Sequence, residues 1–170
     1  MNKILLPFLL HFMLSYQGFC QIINKPEIKK NLIFIEWGGS GGLGSINYEY
    51  LCKAMSKLKF SVRLGASTYQ LYDFRNDFNP DIIIPASIHA YYGNNHHLEI
   101  SLGQTFTSIV LASTSDYEPQ RKSSLSANAS IGYRYKKKDK AMVYKIAYSP
   151  IIENNTMYRH WFLFALGFAF

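Results

Sequence analysis

Beyond residue 30 this chain repeats one pattern. Apolar and polar residues alternate with a period of two in eight successive stretches. That period puts alternate side chains on opposite faces of a strand. An amphipathic helix would need a period of about 3.6, so the pattern admits strands and excludes a helical fold. The stretches are Asn31–Ser40, Leu43–Cys52, Leu58–Tyr69, Ile82–Tyr92, His97–Val110, Leu125–Tyr135, Lys140–Ile151 and Tyr158–Phe170. Most reach the roughly 9–11 residues that a tilted strand needs to cross a bilayer. Gly41-Gly42 reads as a tight first hairpin. After it, short turns at 54–57, 93–96 and 136–139 take turns with longer polar loops at 71–80, 112–123 and 153–157. This asymmetry belongs to membrane barrels, whose two ends carry short turns and long loops respectively. The expected fold is all-β: an eight-stranded antiparallel up-and-down transmembrane β-barrel.

The alternation also predicts which face is dry. One face is apolar and aromatic, with Trp37, Tyr48, Tyr50, Tyr92, Tyr133, Tyr135, Tyr144 and Tyr148 lying mostly near strand ends, as in interfacial girdles. Aromatics make up 16% of the chain, which suits such a wall. The other face carries small residues such as Ser45, Ser61, Gly65, Ser101, Gly103 and Gly132. An eight-stranded ring is only just wide enough to be filled by side chains, so the small, polar face goes inside. Lys59, His89 and six further ionisable residues share it. Glu36, Glu49 and Glu99 are expected to face Arg63, Arg134 and Lys145, because a charge buried without a partner costs several kcal/mol. This interior charge network would plug the lumen. A soluble lipocalin-like barrel, apolar face inward, is the rival arrangement.

Met1–Cys20 reads as a cleaved secretory signal peptide. Lys3 supplies the positive start and Ile4–Leu14 an apolar run too short and interrupted for a membrane helix. Cleavage after Cys20 leaves a barrel domain over 21–170; lipidation of Cys20 is the alternative, with Phe19 in the place a small residue should hold. Cys52 then stands alone, a half-buried strand-end residue, and no disulfide forms. Export makes nucleic acid an unsuitable partner for the net charge of +7. A hydrophobic fraction of 48% argues against disorder, and a mean hydropathy of -0.07 against a helical membrane bundle.

Phe162, Phe164, Leu166, Phe168 and Phe170 alternate with Leu163, Ala165, Gly167 and Ala169. This segment resembles an outer-membrane barrel closing strand, and the first hairpin, FIEWGGSGGLGSINYEYL, is similar to the opening of small Gram-negative outer-membrane β-barrel proteins without an assigned activity. The resemblance spans the whole domain after residue 20. It implies integration in the cell outer membrane, with the aromatic row as a C-terminal assembly signal for the barrel-assembly machinery; a monomer is expected. The expected partners are outer-membrane lipids and lipopolysaccharide, the latter through the loops with Arg121, Lys122 and Arg159.

No residue set dictates a cofactor, and none is expected. Outer-membrane lipid A deacylases use Ser, His and acid facing lipid; here Ser87 and His89 share a face, but parity turns both inward with Glu49 and Glu99. His96-His97 reads as an exposed turn without metal-ligand spacing. Gly38–Gly42 lacks the Lys and helix of a phosphate loop and reads as a tight outside hairpin. Lys136, Lys137, Lys138 and Lys140 form a solvated turn, or one touching phospholipid head groups. The loops with Arg121, Lys122 and Arg159 also hold Asp116, Glu118 and Glu153, so their charge is mixed. The expected function is non-enzymatic, structural or adhesive through the outside loops; the alternatives are a lipid-modifying enzyme and a narrow channel.

Overall fold

The computed structural model describes residues 29–112, 119–137, 140–153 and 157–170. They build one closed antiparallel barrel: β1 (Asn31–Trp37), β2 (Gly44–Met55), β3 (Leu58–Ala66), β4 (Ile82–Gly93), β5 (His96–Ala112), β6 (Pro119–Lys136), β7 (Met142–Glu153) and β8 (Met157–Ala169). Each strand pairs with the next. β8 closes the ring on β1, from Leu32 opposite Ala169 to Trp37 opposite Phe164. Closure leaves no sheet edge along the wall, the condition for a sheet to stand in hydrocarbon.

The alternation survives strand by strand. In β1, Leu32, Phe34 and Glu36 are buried while Ile35 and Trp37 are 48% and 49% exposed. In β4, Ile83, Ser87, His89 and Tyr91 point in, and Ile82, Ile84, Ile88 and Tyr92 point out. Among the described residues, twenty buried side chains are polar or charged, against nine core hydrophobics and Pro85. The interior is therefore the polar face, and the wall presents Ile, Leu, Val and Phe outward. A soluble barrel has the opposite arrangement.

Several boundaries differ from the sequence reading. The Ala54–Lys57 turn shrinks to Ser56-Lys57, because β2 runs on to Met55 past a bulge between Leu51 and Lys53. The described residues of the 112–123 connection, Ala112 and 119–123, are strand. β5 continues to Ala112 and β6 starts at Pro119, paired rung by rung as Val110 opposite Arg121 and Ala112 opposite Pro119. The polar composition of that hairpin (Gln120, Arg121, Lys122, Ser123, Ser124) belongs to strands rising beyond the apolar wall, where neither face is buried. β5 opens one residue earlier than expected, at His96; His97 is 2% exposed inside the ring and His96 lies outside, so the pair is not an exposed turn.

The first hairpin departs furthest from the expectation. β1 ends at Trp37, and Gly39–Gly41 form a short 3-10 turn whose residues are all buried. This turn is not an outside loop. It folds inward over the mouth of the ring, where the Thr105 hydroxyl on β5, four strands away, donates to the Ser40 carbonyl at 3.0 Å. Ser67 Oγ lies 2.7 Å from the Gly41 carbonyl oxygen and 2.6 Å from that of Gly44. Gly38 has φ +73°, and a Cβ there would stand 2.2 Å from the Phe162 carbonyl oxygen, so glycine is required for the entry.

The signal-peptide reading of Met1–Cys20 falls outside the described residues, as do Asp116, Glu118 and Lys138.

Candidate functional site

The lumen holds the candidate site. Inward positions on six strands supply its ionisable groups: Glu36 (β1), Glu49 (β2), Arg63 (β3), Glu99 (β5), Arg134 (β6) and Lys145 (β7), each nearly or fully buried. The structure brings them together. Arg63 Nη2 donates to Glu36 Oε1 at 2.7 Å. Arg134 bridges two carboxylates: Nη1 and Nη2 reach the two oxygens of Glu49 at 2.7 and 2.8 Å, while Nε and Nη2 reach those of Glu99 at 2.5 and 2.9 Å. Lys145 Nζ sits 3.0 Å from both Glu49 and Glu99. Three carboxylates face three cations, so the network is neutral as a set. The planar guanidinium of Arg134 suits it to hold two carboxylates at once.

Two aromatics that parity turned inward complete the packing. Arg134 Cζ lies 4.1 Å from the Tyr91 ring centroid, and Lys145 Nζ 4.5 Å from that of Phe34. Arg63 Cζ stands 5.3 Å from the same Phe34 ring. These rings fill the space between charges while attracting cations to their faces. The sequence analysis gives neither Phe34 nor Tyr91 a role. Their inward parity was the available signal. Gly167 makes room: a Cβ there would fall 2.5 Å from Phe34 Cβ.

A second set lies beside the network. His89 Nδ1 donates to Glu99 Oε1 at 2.6 Å, and Ser87 Oγ lies 2.8 Å from His89 Nε2. A carboxylate only accepts, so Nδ1 carries a proton, and on the neutral ring Nε2 is left to accept from Ser87. The order hydroxyl, imidazole, carboxylate is that of a nucleophile with its base and orienting acid. Yet Ser87 and His89 are 8% and 4% exposed. The cavity beside His89, bounded by Arg63, Glu99, Ser130, Lys145 and Leu163, measures about 10 Å³. That is about the space one water needs, and it admits no acyl chain.

Glu49, His89 and Glu99 also offer ligand atoms within 4.8 Å of one another. The same oxygens are already engaged by Arg134 and Lys145, so a metal ion would meet two fixed positive charges. The donor set fits an ion-pair cluster and not a metal centre.

Toward the short-turn end, Lys59 Nζ donates to the Gly93 carbonyl at 2.9 Å and to His97 Nε2 at 3.1 Å. Glu36 Oε2 and His97 Nδ1 are buried and have no hydrogen-bond partner among the described residues. The lumen is thus closed by the glycine turn at one end and filled by paired charges at its middle.

Outside the wall, Phe162, Phe164, Phe168 and Phe170 are more than half exposed, in one row with the half-buried Leu166. His160 stacks on Tyr148, and His96 bonds Tyr133, both on the outer surface. Arg121 is exposed, but its guanidinium is engaged. It contacts the Ser108 carbonyl at 3.3 Å, the Pro80 carbonyl at 3.1 Å and the side chain of Asn79, tying the β5–β6 hairpin to the 67–81 loop.

No protein-family model matches the chain, and no curated protein does. Solved structures do. The N-terminal β-barrel domain of Pseudomonas aeruginosa OprF aligns with TM-score 0.54 at 12% identity, over 83% of this chain and 96% of that one. Crystalline Ail, the attachment invasion locus protein of Yersinia pestis, aligns with TM-score 0.52 at 10% identity, over 83% and 100%. At such identities the likeness is one of fold alone, and it agrees with the strand count, the closure and the inverted faces: this chain has the fold of the small eight-stranded outer-membrane β-barrels.

Proposed function

We propose that this chain is a non-enzymatic, monomeric integral protein of the Gram-negative outer membrane, structural or adhesive through its long-loop end. The observation that carries the reading is the pairing of an apolar outer wall with a lumen filled by a neutral charge network. A filled lumen leaves no path for solutes, so contact with other molecules falls to the wall and the ends. The wall meets outer-membrane lipid, and the long-loop end meets lipopolysaccharide or a partner. Ail is named for attachment, which is the lead for adhesion. The aromatic row Phe162, Phe164, Leu166, Phe168 and Phe170 serves as the signal for the barrel-assembly machinery during insertion. Substituting the exposed loop residues Tyr72, Phe74 and Phe78 tests the reading. It expects weakened surface attachment or envelope integrity with the barrel still assembled. Unchanged attachment and integrity would count against it.

The Ser87–His89–Glu99 alignment favours a second reading, a lipid-modifying enzyme. Ser87→Ala decides it: an altered lipid A acylation pattern supports the enzyme, and an unchanged pattern leaves the set as a buried polar brace.

A further inference from the structure

Among the described residues the two ends of the barrel differ in charge, and the difference emerges only once the strands are assembled. At the short-turn end the fold gathers lysines from three separate stretches. Lys29 and Lys30 lead into β1, Lys53 precedes and Lys57 lies in the β2–β3 turn, and Lys137 and Lys140 lie between β6 and β7; all six are exposed. Backbone hydrogen bonds hold these segments at one level: Leu51 N–H to the Lys30 carbonyl, Gly93 N–H to that of Lys57, and Lys136 N–H to that of Asn95. Around the ring they form an arc from β6 through β8 to β3. Among the described residues, every Asp and Glu lies either in the lumen or toward the long-loop end, where Asp73 and Asp77 mix with Arg75 and Arg121.

The lysines stand where the apolar wall ends. Lys29 Nζ lies 5.8 Å from the ring centroid of Phe168, an outward residue that is 54% exposed. Lys53 sits directly opposite Phe60 in the β2–β3 ladder, and Phe60 is also outward. Their stems can lie along lipid-facing aromatics while the ammonium groups reach the head-group layer. A surface for a soluble partner would need no such alignment with the edge of the wall.

We propose that this arc binds anionic phospholipid head groups of the leaflet at the short-turn end, and so selects phosphatidylglycerol-type lipid around that rim. The proposal rests on the membrane reading and deepens it by naming the lipid class. Clustered lysines beside a bilayer attract anionic lipid through a field that salt screens.

The test reconstitutes the full chain in phosphatidylcholine bilayers with spin-labelled phosphatidylglycerol or spin-labelled phosphatidylcholine. Electron paramagnetic resonance reads the motionally restricted fraction of each. The expected result is a preference of about three- to fivefold for phosphatidylglycerol, falling toward parity in high salt. The combined variant Lys29→Gln, Lys53→Gln, Lys137→Gln and Lys140→Gln should also approach parity while keeping the heat-dependent gel shift of a folded barrel. Equal restriction of both lipids by the wild-type chain overturns the proposal, as does a preference the variant retains. Lysine-dependent binding of soluble dextran sulfate without any lipid preference would assign the arc to a soluble polyanion instead. A chain that never enters the bilayer and shows no gel shift overturns the membrane reading as well, so the two failures are distinguishable.

Discussion

Arg134 is the residue on which most of the interior depends. It is 2% exposed, holds Glu49 and Glu99 together, and lies against Tyr91. Arg134→Met removes the charge but keeps much of the volume, leaving two buried carboxylates with Lys145 as their remaining close cation. The expected loss is about 3–5 kcal/mol, because breaking a buried pair strands a charge. Urea titration of the folded-to-unfolded gel band measures it. Asp73 presents a milder case in the 67–81 loop. Desolvation works to raise its pKa, but the Asp77 N–H, the Asn79 side chain and the Arg75 N–H together hold it below the usual carboxylate value. A lowered folded-state pKa contributes stability above the unfolded value and loses it as pH falls through the folded one. Proteolysis of this loop should therefore rise at acid pH in the wild type, with a weaker pH dependence in Asp73→Asn.

At the scale of elements, the period-two signal explains what could be read in the sequence and what could not. Strand faces were legible wherever one face is apolar, since a one-residue slip would turn the whole set over. That placed Glu36, Glu49, Arg63, Glu99, Arg134 and Lys145 on one side before any partner was known. Strand ends were not legible where both faces are polar, which is why the β5–β6 hairpin read as loop. The glycine turn misled for another reason: its composition fits an outside hairpin, and its inward fold depends on Thr105 and Ser67, distant residues no local signal connects to it. The faces themselves can be tested within one strand. Leu102 on β5 is 64% exposed, with Ser101 buried beside it. Leu102→Lys should cost about 2–4 kcal/mol if Leu102 stands near mid-membrane. The same change would be close to neutral on a barrel surrounded by water. Equilibrium unfolding from lipid vesicles distinguishes the two.

For the whole molecule, the neutral, filled lumen and the inward glycine turn together predict a closed barrel. Planar-bilayer recordings on the wild-type chain should show no discrete conductance steps. Arg63→Ala would remove the partner of Glu36 beneath the turn, and is the variant in which steps would be expected first. Reproducible wild-type steps would return the narrow channel to consideration. The central claim is the inverted barrel itself, apolar wall outside and charge network within. It is tested most directly by fractionating cells and running the detergent-extracted membrane fraction boiled and unboiled on one gel. The account predicts that the protein is found in the outer membrane and that the unboiled sample migrates differently. A protein found in the soluble periplasm, with identical migration before and after boiling, would contradict it.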